Sequence, residues 1–156
     1  MDESRPPDSP ALSHGISESP HRRYDANHRL IVWQPHGVLD DKLLDETLAW
    51  ILEVEKGSQP CNRFIDFTHV TKIALQIGHL FIAARERAEK YRGIAPIKTA
   101  FYCDTLAALG TAHLYETLMK NTSIETRAFQ SLAEAAAWLG VPEEILRLED
   151  EPSSGG

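Results

Sequence analysis

The sequence predicts an α/β domain built on a mainly parallel sheet. Three observations carry this. Short apolar runs alternate with longer stretches of helical periodicity, in the order β-β-α-β-α-β-α-β-α. The helical stretches are punctuated by capping signals at Asp40, Asp104 and the Ser131–Glu134 pair, and by stop glycines at 57, 93 and 140. Over 156 residues, 42% are hydrophobic, and no apolar run approaches the ~18 to 20 residues of a membrane span, so the chain forms one core in one domain. Four to five strands, an opening antiparallel hairpin and about four helices are expected within residues 22–148.

Residues 1–21 are rich in Pro, Ser and acids, and residues 149–156 are acidic and then Ser and Gly. Neither stretch buries enough apolar surface to offset its ordering entropy, so both are expected to be disordered tails. The first tail has no apolar block and is not a secretory signal. Arg22 to Asp25 and Arg29 to Gln34 are short strands around the turn Asp25-Ala26-Asn27-His28. Pro35-His36-Gly37 ends the second strand. Asp40 caps a helix whose apolar face is Leu44, Leu48, Ile51 and Leu52, widened by Leu43, Trp50 and Val54.

The chain is organised around its middle third. Arg63 to Phe67 is a buried central strand, Thr68 to Gln76 a polar loop, and Ile77, Phe81, Ala84, Ala88 and Tyr91 recur as the inner face of a long helix. Arg85, Arg87, Lys90 and Arg92 in its last turns suit a solvated face at the negative end of the helix. Ile97 to Cys103 is a fourth strand, followed by a helix over Thr105 to Lys120. Ser123 to Phe129 alternates as an edge strand with one wet side, and a capped helix runs from Ser131 to Leu139. A further helical turn is expected within Pro142 to Leu148.

The net charge is −7, and the two ends carry it. Residues 1–21 hold four acids against one Arg, and residues 143–156 hold five acids against one Arg, which leaves the middle neutral. A neutral core with acidic ends argues against nucleic acid and against an anionic membrane surface. Cys61 and Cys103 fall at opposite ends of neighbouring strands, too far apart to pair, and two free thiols fit a reducing, cytoplasmic compartment.

The hairpin, the Gly37-Val38-Leu39-Asp40 lead into the first helix, the central Phe64-Ile65-Asp66-Phe67-Thr68 and the ending Arg127-Ala128-Phe129 with Ser131-Leu132-Ala133-Glu134-Ala135 and Trp138-Leu139-Gly140 resemble the STAS domain family. The resemblance is to its SpoIIAA-like bacterial branch and covers residues 22–141. It implies a STAS-like α/β fold and a binding module rather than an enzyme. Family members of the anti-sigma-antagonist type switch through a serine in an Asp-Ser-Ser-Gly-like motif after the central strand. Residues 70–78 here lack that motif, and the switch is not carried over. Some relatives are thought to hold small apolar ligands.

Three function classes are open to such a chain. The first is a non-catalytic protein-interaction module, with a protein partner or a second copy bound at Thr68, His69, Thr71, Lys72, Gln76 and His79, where a polar loop meets a helix start rich in free N–H groups. The second is a carrier of a small apolar, lipid-like ligand between a helix and the sheet, lined by Phe81, Tyr91, Phe101 and Tyr102. The third is an enzyme using His36, His69 and Asp104 at the strand ends, with Cys103 as nucleophile. Against the third, a Cys that ends an apolar strand is ordinarily a small buried hydrophobe. Asp66 lacks the companion carboxylates of a magnesium-dependent phosphoacceptor, and His79 and His113 have no ligand-type partner for a metal. No cofactor is expected.

Overall fold

The computed structural model describes residues 18–19, 21–57 and 59–148. The expected tail 149–156 lies outside them, as does most of 1–21. Glu18–Ser19 (β1) and Arg22–Asp25 (β2) form an antiparallel pair, and β2 pairs antiparallel with Leu30–Trp33 (β3). Next come Gly37–Asp40 (β4), Asp41–Glu55 (α1), Asn62–Asp66 (β5), Val70–Ala74 (β6), Ile77–Lys90 (α2) and Ile97–Tyr102 (β7). Leu106–Leu118 (α3), Ile124–Phe129 (β8), Leu132–Leu139 (α4) and a 3₁₀ turn at Glu143–Leu146 complete the order.

The main sheet runs β1-β2-β3-β5-β7-β8, and β3, β5, β7 and β8 are parallel. The parallel strands advance across the sheet in one direction. Right-handed crossovers therefore place α1, α2 and α3 on the same face. The chain then passes from β8 to the other face, where α4 and the 3₁₀ turn pack. Strand alternation sorts the side chains accordingly. Leu30, Val32, Phe64 and Ala100 meet Ala135, Leu139 and Leu146 in one continuous cluster on the α4 side. Ile31, Trp33, Arg63, Ile65, Thr99 and Phe101 point the other way, towards α1–α3.

The structure corrects several expectations. Thr68 to Gln76 is not a loop throughout: Val70–Ala74 is a strand, paired in parallel with β4 in a separate two-stranded sheet. Gly37 opens that sheet at φ 78, a left-handed conformation that a side chain would strain, and its N–H donates to the His69 carbonyl at 3.0 Å. The inner face of α2 is rotated by one position. Leu80, Ala83, Ala84 and Arg87 are its buried residues, while Ile77, Phe81 and Ile82 are 63%, 47% and 51% exposed. On α1, Leu52 faces out, and Thr47, Trp50, Ile51 and Glu55 face in. The cap of α3 is Thr105, whose hydroxyl accepts from the Ala108 N–H at 3.1 Å, rather than Asp104. Asp40 and Ser131 cap α1 and α4 as read from the sequence. Among the described residues, no helix is long and apolar enough to cross a membrane.

Candidate functional site

The six residues expected to bind a partner fall into three separate settings. Thr68 closes the end of β5: its N–H and hydroxyl both donate to Asp66 Oδ1, at 2.8 and 2.7 Å. The second Asp66 oxygen accepts from Gln34 Nε2 at 3.0 Å, so this buried carboxylate serves as a structural acceptor. Beside it the His69 ring lies 4.5 Å from His36, which lies 3.6 Å from His21. Thr71 and Lys72 are exposed on β6. Gln76 and His79 turn instead to α1. The Gln76 N–H donates to Asp41 Oδ1 at 3.0 Å, and His79 Nε2 lies 2.7 Å from Asp45 Oδ1. The Gln76 amide expected to be open to a partner is thus already taken by Asp41.

His36 and His69 do converge, as their strand-end positions imply. Asp104 does not join them: it is exposed and makes no hydrogen bond or ion pair among the described residues. Cys103 is 1% exposed, and burial, with Asp104 and Asp66 nearby, pushes its thiol up to about 12. A thiol held protonated in that way is no nucleophile near neutral pH. Cys61 is also buried and free, and burial raises its pKa too, reinforced by Glu55. Among the described residues, no group of three or more His, Cys, Asp or Glu could hold a metal ion.

A second, more enclosed feature lies on the opposite side of the central strand from the α4 cluster. A partly enclosed cavity separates α1, α2 and α3 from the sheet, with about 70 Å³ open to the centres of water-sized molecules. Its lining is mostly apolar, with Leu48 and Ile51 from α1, Leu80 and Ala83 from α2, and Ile65 and Phe101 from the sheet. Of the aromatic residues expected to line a pocket, Phe101 does so. Phe81 is on the surface, Tyr102 faces the α4 cluster, and Tyr91 is buried with Ala84, Ile97, Met119 and Ile124, its hydroxyl on Arg63 and Glu55. Two arginines also line the cavity: Arg63 from β5, 2% exposed, and Arg87 from α2, 8% exposed.

Their surroundings differ. Arg63 Nη2 donates to Glu55 Oε2 at 2.7 Å and contacts the Tyr91 hydroxyl at 3.0 Å. The Tyr91 hydroxyl donates to Glu55 Oε1, and the Cys61 N–H donates to Glu55 Oε2 at 3.1 Å. Burial alone would raise the Glu55 carboxyl. Arg63, with the Tyr91 and Cys61 donors, overcomes it and holds Glu55 below its usual 4.5. Burial likewise opposes the Arg63 charge, and Glu55 and Tyr91 outweigh it. Burial lifts the Tyr91 hydroxyl above its usual value against the pull of Arg63 and Arg87, so it remains a donor. The Arg87 guanidinium sits 5.4 Å from the centre of the Tyr91 ring and, among the described residues, meets no carboxylate and no hydrogen-bond acceptor. Arg63 Nε is also without a partner among them.

Neither arginine stood out in the sequence. Arg87 sits in a run of charges that resembles a solvated face. The signal that could have found it is the series Leu80, Ala83, Ala84, Arg87 and Tyr91, which is as regular as the series starting at Ile77 and places Arg87 inward. Arg63 precedes Phe64 on a strand buried on both faces, where a cation needs a partner.

No protein-family model matches the chain, and neither does any curated protein. Among solved structures, it is similar to an uncharacterised DUF3478-family protein with a SpoIIAA-like fold from Shewanella loihica PV-4. The match has a TM-score of 0.50 and 13% identity, and it covers 70% of this chain and 83% of that one. At that identity the likeness shows the fold, and the fold is SpoIIAA-like, as the resemblance of the sequence implied.

Proposed function

We propose that this chain is a non-catalytic binding module that holds a small molecule between its α1–α3 layer and the sheet. The cavity carries the reading. Protein interiors are close-packed, with few voids larger than a water. The space is about 70 Å³, the liquid share of about two waters at ~30 Å³ each. A void at the centre of the domain, apolar with a few polar groups at one side, has the lining of a ligand site, for a small molecule. Its size favours a compact molecule over the lipid-like chain expected from the sequence. The parallel strands run in monotonic order, so the sheet offers no switch-point crevice, and the space lies under the helices instead.

The test is methyl NMR of the full chain titrated with toluene. Saturable shifts are expected at Leu48, Ile51, Ile65 and Leu80, and Ala83→Phe, which fills the cavity from α2, should abolish them. Shifts that are absent, or unchanged in the filled variant, would refute the site.

A second reading has its own observation. Ile77, Phe81 and Ile82 form an exposed apolar row on the outer face of α2, and such rows on soluble proteins mark contact surfaces. A protein partner would dock there, beside the Gln76 and His79 positions singled out in the sequence. Sedimentation of wild type and of a triple serine variant, Ile77→Ser, Phe81→Ser and Ile82→Ser, tests whether that partner is a second copy. A concentration-dependent dimer lost in the variant supports self-association. A monomer in both excludes a second copy as the partner.

A further inference from the structure

We infer that the ligand of this cavity is a small organic anion, its charged group held by Arg87 and its apolar body lying against Leu48, Ile51, Ile65 and Leu80. The inference rests on the cavity being a ligand site and adds the chemistry of the ligand.

A count of charges around the cavity carries it. The cavity side of the domain holds two guanidinium groups, a buried one on Arg63 and one on Arg87 that keeps an edge in solvent, and one buried carboxylate, on Glu55. Both Glu55 oxygens are occupied, by Arg63, Tyr91 and the Cys61 N–H. Tyr91 stays neutral, because burial raises its pKa. The cluster therefore carries one positive charge without a described counter-charge, and that charge is on Arg87, with more than nine-tenths of the residue buried. The ring face of Tyr91 is the contact Arg87 has, and a ring quadrupole compensates a desolvated cation only in part. Arg63 Nε adds a buried donor with no acceptor among the described residues.

Buried charges are costly unless paired, and buried donors are ordinarily satisfied. Both open donor groups belong to residues that line the same cavity, whose other walls are largely apolar. An anion entering there would meet the guanidinium fork of Arg87, which suits the two oxygens of a carboxylate. The volume limits the rest of the molecule. A partly enclosed space of about 70 Å³ takes the head and first carbons of a short acid, and a long acyl chain would need the helices to separate. Water is the competing occupant, since a cavity with polar donors can hold a few ordered molecules.

Hexanoate, hexan-1-ol and hexylamine share one apolar body and differ in charge, so together they separate these cases. With the full chain at pH 7, calorimetry and methyl NMR should show hexanoate saturating the cavity methyls at least about tenfold more tightly than hexan-1-ol, a difference of about 1.4 kcal/mol. Hexylamine should not bind. Arg87→Met, which keeps the length of the side chain and removes the charge, should bring hexanoate down to the level of hexan-1-ol and leave hexan-1-ol unchanged. Equal binding of hexanoate and hexan-1-ol to wild type would overturn the anion and leave the cavity site standing, with water on Arg87. If neither these probes nor toluene binds, the cavity reading falls and the anion falls with it. The wild-type comparison decides the matter even if the Arg87→Met protein does not fold.

Discussion

The two faces of the central strand are built differently. On the α4 side, Phe64 is fully buried at the middle of a single apolar cluster that reaches from Leu30 to Leu146. On the α1–α3 side, the core is broken into three clusters, around Phe101, Tyr91 and Trp50. Arg63 and Thr99 stand at the centre of the sheet on that side, Thr47 and Glu55 face them from α1, and a cavity opens beside them. The α4 face does what a core does: it fills space with side chains that need no partners. The other face spends central positions on charge and leaves room. A fold gains no stability from that arrangement, since a buried ion pair rarely outdoes a well-packed apolar substitute. The difference therefore points to the α1–α3 face as the working face and to α4 as its support.

The sharpest way to break the comparison is at two neighbours on β5. Phe64→Ala, on the filled side, should cost ~3 to 5 kcal/mol, and Ile65→Ala, which faces the existing cavity, should fall near ~2 kcal/mol or below. Denaturant curves with equal losses would mean that both faces are packed alike.

Next in size, Glu55→Gln should cost ~3 to 5 kcal/mol near neutral pH, because it leaves Arg63 buried without its counter-charge. The pH dependence has a definite sign. The folded pKa of Glu55 lies below its usual 4.5, so its contribution is fully present above that value and is lost as pH falls through the folded pKa. Wild type should lose stability over that acid range more steeply than the Gln variant. Parallel pH profiles would show that Glu55 does not carry the cluster.

A smaller effect carries a change of direction. Ala135→Leu enlarges a residue with no exposure in the α4 cluster and should cost ~1 to 3 kcal/mol by overpacking. Ala83→Leu makes the same change at the cavity wall and should cost less than ~0.5 kcal/mol, or gain up to ~1 kcal/mol, as cavity-filling substitutions do. Equal melting shifts in the two variants would remove the distinction between the faces.

How far the sequence reveals these faces depends on the signal each one leaves. The order of strands and helices, the caps at Asp40 and Ser131 and the buried central strand were legible, because periodicity and capping chemistry are local. The pair β4–β6 was not. Val70-Thr71-Lys72-Ile73-Ala74 has one polar-rich stretch and two partly buried residues, and a strand with a wet side in a two-stranded sheet resembles a loop until its partner is known. The face of α2 was misjudged for a related reason. Ile77, Phe81 and Ile82 are hydrophobic and Arg87 is not, so a count of apolar residues turns the helix the wrong way. Its true orientation buries Leu80 and sets Tyr91, at the end of the helix, on Glu55 and Arg63, which lie on two other elements. The same long-range dependence hid the cavity. The positions that line it are ordinary core residues one at a time, and only their failure to meet makes the space.

The smallest expected effect concerns how each face is tied down. On the α4 side, Lys98 Nζ donates to the Trp138 carbonyl at 2.9 Å, and Arg23 donates to the carbonyls of Ile145 and Arg147. On the other side, the seam between α1 and α2, beside the cavity, is bridged by His79 and Asp45. The hydrogen bond that His79 donates to Asp45 raises the His79 pKa above its usual 6.5, with Asp41, Asp45 and Glu86 adding to it by charge. A raised histidine pKa means that the tie is fully present below pH 6.5 and fades as pH rises through the folded pKa. The pair is solvent-exposed, so the change belongs in a proton titration rather than a melting curve. NMR should place the His79 midpoint above 6.5, and Asp45→Asn should lower it. Over the same pH range, shifts at backbone amides should spread along the α1–α2 seam and leave α4 untouched. A midpoint at or below 6.5, or equal shifts on both sides, would show that this seam is no more responsive than the packed face opposite.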